Sequence, residues 1–256
     1  MLGKAKAIYL ATRKKHDQVF NTYFMRPIAA FVVSLIARTS ITPNQVTILS
    51  LLLMVSAATV LAAVPTWQGG LLGVALLELS YLLDCVDGML ARHKKLASQQ
   101  GHLFDFFTDE LKAVVLTAGL GLHVYRKGGL GLDLRVWPAE DARFLLGTVL
   151  AVVVIASAIS LTNFVRRPEL TGKETPIEAH YETVARTAST SLVARVVELF
   201  LTFLRFINHY PSHLWAFAAF GRLEVFFWVY ALNNGLYLAR GWLGLMLRFG
   251  RGGASA

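Results

Sequence analysis

Apolar positions in this chain run in long unbroken stretches, without the period-2 alternation of half-buried strands or the narrow stripe of a soluble amphipathic helix. Six stretches approach the roughly 20 residues that a helix needs to cross a hydrocarbon core about 30 Å thick. They are 46–64, 70–90, 104–125, 144–164, 192–207 and 223–238. The fifth is the most interrupted, by Arg195, Glu198 and Arg205, and the apolar residues 214–220 offer to extend it beyond Pro211. Ahead of the first span, residues 26–38 carry Phe31 and Leu35 between flanking arginines. That segment is too short to cross and predicts a helix lying in the membrane interface. Proline stops it at Thr42-Pro43-Asn44, where Thr42 is placed to N-cap the first span. The expected fold is an all-α integral membrane protein of six transmembrane helices preceded by an N-terminal amphipathic interfacial helix. Residues 1–43 form the N-terminal segment, 44–245 the membrane domain and 246–256 a tail.

Composition agrees with the bilayer as solvent. Of 256 residues 55% are hydrophobic and 16% charged, with a mean hydropathy of +0.52. Such a chain is neither disordered nor a free basic nucleic-acid domain, so no nucleic-acid partner is expected. The net charge of +9 finds its partner in anionic lipid headgroups. Cys85, the single cysteine, excludes an internal disulfide framework and a thiolate zinc site, and reads as a small buried residue. The basic start of the chain lacks a following short apolar core and cleavage site, so no cleaved signal is expected. Basic residues near the helix ends orient the spans. Placing the N-terminus in the cytoplasm puts 18 basic residues there, among them Lys4, Lys6, Arg13, Lys14, Lys15, Arg92, Lys94, Lys95 and Arg248, and leaves the opposite side six, Arg126, Lys127, Arg135, Arg143, Arg205 and Arg222. Both termini and the loop between the second and third spans then face the cytoplasm.

Charges at the ends of apolar helices are costly and mark function. Asp84 and Asp87 close the second span, and Asp105 and Asp109 open the third. From Asp84 the offsets to Asp87, Gly88, Ala91 and Arg92 are 3, 4, 7 and 8, one helical face; Gly101, Asp105 and Asp109 share another. Consecutive antiparallel helices bring those faces together, and four converging carboxylates call for a cation. Oxygen-only ligands favour a hard ion, Mg²⁺ or Mn²⁺. His93 and His102 follow no ligand spacing and read as solvated loop residues. Gly88 and Ala91 leave room against the helix backbone, either for a neighbouring helix or for a ligand.

Together these residues spell D-x-x-D-G-x-x-A-R-x8-G-x3-D-x3-D from Asp84 to Asp109, about a tenth of the chain. The pattern resembles the signature of the CDP-alcohol phosphotransferase family at every specified position and at both long spacings. The lead into the first span, Thr42-Pro43-Asn44-Gln45-Val46-Thr47, is also similar to that family's. Phe106-Phe107-Thr108-Asp109 departs from the H-G-C-D of the choline and ethanolamine branch. The resemblance implies an enzyme that moves a phosphatidyl group from CDP-diacylglycerol, or a similar CDP-lipid, to the hydroxyl of a small water-soluble alcohol, releasing CMP. It implies two Mg²⁺ or Mn²⁺ ions held by Asp84, Asp87, Asp105 and Asp109, with Asp109 also the base that takes the acceptor's proton. Asp84, Gly88, Ala91, Arg92, Gly101, Asn44 and Thr47 would contact the nucleotide. A homodimer in a bacterial or archaeal cytoplasmic membrane, with its active site facing the cytoplasm, completes the expectation.

The acceptor is less legible. A polyol phosphate, such as inositol phosphate or glycerol phosphate, needs an anion pocket, and Arg195 and Arg240, then Arg166, Arg167 and Lys173, are the candidates. Positive-inside anchoring explains the same residues. Serine or another alcohol is the alternative acceptor. From another class, an ion-coupled transporter would also use intramembrane acids, but near the midplane of broken or repeated helices, and no internal repeat is visible. A catalytically dead scaffold of the same fold fits poorly with four aspartates intact.

Overall fold

The structure, a computed structural model, describes residues 2–13, 17–165, 199, 202–204 and 206–251. It is nearly all-α. The elements are α1 (Leu2–Thr12), a π-helical turn (Asn21–Met25) running into α2 (Arg26–Ile36), α3 (Pro43–Ala63), α4 (Trp67–His93) and α5 (Gln99–Lys127). A two-residue antiparallel ribbon, β1 (Gly129–Leu130) with β2 (Val136–Trp137), follows, then α6 (Ala142–Val165), α7 (Leu214–Ala219) and α8 (Leu223–Arg251).

Helices α3, α4 and α6 are long and apolar enough to cross a membrane. Those three coincide with the first, second and fourth expected spans. Helices α5 and α8, at 29 residues each, have the length. Asp105, Asp109, Glu110 and Lys112 crowd charge into the first half of α5, so composition alone does not make it a span. The fifth expected span, 192–207, lies mostly outside the described residues. The chain is an integral membrane protein on its apolar helices, and α3 shows how the bilayer is used. Ile48, Leu49, Leu52 and Val55 remain exposed, as lipid rather than water would solvate them.

Two compact units divide the chain. The first comprises residues 1–123 with 218–221. Its α3 begins with the expected cap: Gln45 N–H donates to Thr42 Oγ1 at 3.3 Å, Thr42 N–H donates to Gln45 Oε1 at 2.9 Å, and Pro43 takes the first helical turn. Small residues then bring helices close. Ser50 and Ser80 each donate to the other's carbonyl at 2.8 Å, locking α3 to α4. A Cβ on Gly119 would meet Ala58 Cα at 2.7 Å, which shows how tightly α5 lies on α3. Helix α2 buries Ala29, Ala30 and Val33 against Val86, Met89 and Leu90 of α4, with Cys85 buried in the same cluster.

Two features here were not read from the sequence. Helix α1 is short and weakly patterned, and it forms by docking Ala5 and Ile8 inward. Arg26, taken as an interfacial flank, is 5% exposed and ion-paired with Asp17.

The second unit comprises residues 124–217 and 222–256. Gly128 and Gly129, at φ +72° and +133°, carry the chain out of α5 into β1, a conformation open to glycine. Helix α6 packs on α8, and Phe144 stacks on Trp137 and tilts against Trp228, each at 5.9 Å. Buried Glu224 of α8 pairs with Lys127 at 3.7 Å.

Candidate active site

The C-terminal half of α4 and the N-terminal half of α5 build the site within the first unit. A short connection joins them, turned by Lys95 at φ +58°, and Ser98 caps α5 by accepting Gly101 N–H at 3.1 Å. Because α4 is helical throughout, Asp84, Asp87, Gly88, Ala91 and Arg92 share a face, as their spacing requires.

Asp84, Asp105 and Asp109 each offer a carboxylate oxygen within 4.8 Å of the others. The first two are partly buried and Asp109 is exposed. Asp87 stands outside that trio and is 4% exposed. Its Oδ2 accepts a 2.6 Å hydrogen bond from Thr47 Oγ1, reaching across from α3. Thr47, expected against the nucleotide, is thus the residue that holds Asp87.

Other expected nucleotide contacts are arranged around this cluster. A Cβ on Gly88 would meet only the guanidinium of Arg92, at 3.5 Å, so the glycine leaves an open surface. A Cβ on Gly101 would lie 3.9 Å from Asn44 Oδ1, which brings the first turns of α5 and α3 side by side. Ala91 is partly buried. Arg92 Nε donates to the carbonyl of Thr12 at 3.1 Å, so the end of α1 anchors a signature residue. No sequence pattern links Thr12 to Arg92, eighty residues away.

Lys112 is the larger surprise. It is 5% exposed, and its ammonium lies among the carboxylates, ion-paired with Asp84 and 2.9 Å from Asp109 Oδ1. The offset of three from Asp109 puts it on the acidic face and was the available signal.

Of the acceptor candidates only Arg240 lies among the described residues. Arg166, Arg167, Lys173 and Arg195 lie outside the described residues. Arg240 is exposed on α8, in the second unit. His93 and His102 are exposed and take no part in the carboxylate cluster.

Carboxylates from the facing ends of α4 and α5 thus form a set of oxygen ligands that could hold a cation. The model of the CDP-alcohol phosphatidyltransferase family matches residues 40–246, which takes in α3 to α5 and this cluster. The chain belongs to that family, and is a transferase of substituted phosphate groups acting between a CDP-alcohol and an alcohol acceptor. Comparison with curated proteins returned no match.

Proposed function

We propose that the protein transfers a phosphatidyl group from CDP-diacylglycerol, or a similar CDP-lipid, to a polyol phosphate such as inositol phosphate or glycerol phosphate, releasing CMP. The observation that carries the reading is the convergence of Asp84, Asp105 and Asp109 within 4.8 Å, from two helices, beside Asp87. The donor set is all carboxylate oxygen, which fits Mg²⁺ or Mn²⁺ and not a soft metal. Asp84, Asp87, Asp105 and Asp109 would hold the ions, two in the complete site. A bound divalent ion would neutralise charge on the pyrophosphate and on departing CMP.

The chain's own residues do the rest. Gly88 and Ala91 keep the α4 face open for the nucleotide, with Arg92 beside it, and Asn44 and Gly101 close its far side. The acceptor hydroxyl attacks the phosphorus bearing the diacylglycerol. Its bond to the CMP oxygen breaks with the electron pair leaving on CMP, and Asp109 receives the hydroxyl proton. Asp109, the most exposed of the trio, is the carboxylate a water-borne acceptor reaches first. Positioning and charge stabilisation dominate such transfers, a task for carboxylates and bound cations more than for a covalent nucleophile.

Arg195 and Arg240, assisted by Arg166 and Lys173, would grip the acceptor's phosphate from the cytoplasmic side, and the enzyme would work as a homodimer in a bacterial or archaeal cytoplasmic membrane. Several arginines suit a phosphorylated acceptor and are superfluous for serine. The test is CMP release from CDP-diacylglycerol by purified protein with Mg²⁺ or Mn²⁺ across a panel of acceptors. Asp84→Asn should abolish release in a folded protein, and Arg195→Ala and Arg240→Ala should raise the acceptor KM roughly ten- to a hundredfold. Preference for serine would overturn the acceptor assignment and leave the reaction class standing.

A further inference from the structure

We propose that Lys112 is a resident cation of the aspartate cluster: its ammonium fills one cation position between Asp84 and Asp109, so the resting protein takes up one divalent ion. The second enters only with the pyrophosphate of the donor. The inference rests on the metal-dependent reading of the site.

Burial is the first ground. A lysine 5% exposed in a helix of a membrane protein is costly unless its charge is answered, and Lys112 is answered by carboxylates from two helices. Its amine therefore belongs to the cluster and is not a snorkelling surface cation. Charge balance is the second. Asp84, Asp87, Asp105 and Asp109 bring four negative charges. Two divalent ions would balance them alone, but with the ammonium in place two ions leave an excess positive charge beside a buried cation, and one ion leaves a single negative charge. The donor's pyrophosphate adds negative charge, and with it the second ion is matched. Competition is the third. Lys112 occupies one oxygen of Asp84 and one of Asp109, two of the carboxylate oxygens that a second ion would otherwise compete for. If the lysine were only a strut between α4 and α5, it would have no bearing on the number of ions bound.

The experiment counts bound Mn²⁺ on the purified full chain in detergent, from the electron paramagnetic resonance signal of the free ion. Wild-type protein should bind one Mn²⁺ per chain without donor and two with CDP-diacylglycerol. Lys112→Met should bind two without donor, and Lys112→Arg should stay at one. Two ions on donor-free wild type, or a count of one on folded Lys112→Met, would overturn the proposal. Should Lys112→Met fail to fold, the wild-type counts with and without donor still decide it. No Mn²⁺ on wild type under any condition would instead defeat the metal-dependent reading itself.

Discussion

Replacing Thr47 by valine removes one hydroxyl and keeps the shape and β-branching of the side chain. Thr47 and Asp87 are 3% and 4% exposed, and the 2.6 Å bond between them joins α3 to α4 at the edge of the cluster. Water has little access to replace it. A hydrogen bond to a charged group contributes about 1.5–3 kcal/mol, and some of that is returned if the carboxylate relaxes. The lower half of the range corresponds to roughly a ten- to fortyfold change in an equilibrium constant. If Asp87 is held for a metal by Thr47, Thr47→Val should weaken Mn²⁺ binding and raise the Mn²⁺ concentration needed for half-maximal CMP release by that factor. Thr47→Ser, which retains the hydroxyl, should stay within about threefold of wild type in metal dependence, since the buried methyl it loses bears on packing and not on the bond to Asp87. A metal titration of CMP release on the three proteins, with thermal unfolding in detergent as a check on folding, reads the effect. Unchanged metal dependence in a folded Thr47→Val protein would refute the argument that Thr47 orients a ligand.

Gly119→Val should lower the melting temperature in detergent and cost about 1–3 kcal/mol or more, because its Cβ would sit 2.7 Å from Ala58 Cα and the backbones must part. Gly147→Ala, whose Cβ meets only Trp228 at 3.6 Å, should be neutral or mildly stabilising. Burial works against the Asp17 carboxylate, but hydrogen bonds from Asn21 and Arg26, the Arg26 charge and the Gln18 N–H outweigh it and hold its pKa below the ordinary value. Its stabilisation is therefore full above about pH 4 and is lost as pH falls through the depressed folded value. Hydrogen exchange over residues 17–26, taken relative to the intrinsic chemical rate at each pH, should speed up on acidification in wild type. In Asp17→Asn it should be fast at neutral pH already, since stranding buried Arg26 costs about 3–5 kcal/mol. In a Cys85→Ala background, Leu96→Cys should react with an impermeant maleimide from the cytoplasmic side and Leu132→Cys from the other. The reverse pattern would overturn the orientation.

Much of this protein is written locally. The faces carrying Asp84 to Arg92 and Gly101 to Asp109 follow from 3.6 residues per turn, and the Thr42–Gln45 capping box follows from residues three apart. Apolar run length marked α3, α4 and α6 as spans because lipid selects for length and hydrophobicity and for little else. The tertiary structure decided which helices touch and at what depth. Ser50 against Ser80, and Gly119 against Ala58, are ordinary small residues in sequence, and only the helix crossing gives them partners. From those crossings come the contacts that no spacing announces: Thr47 on Asp87, Arg92 on Thr12, and Lys112 on Asp84. A single helix fixes the direction of its own side chains, whereas the charge placed opposite them depends on how two helices pack. The signature aspartates were therefore legible from the chain alone, whereas for Lys112 the spacing shows only the neighbouring Asp109 and the packing supplies Asp84.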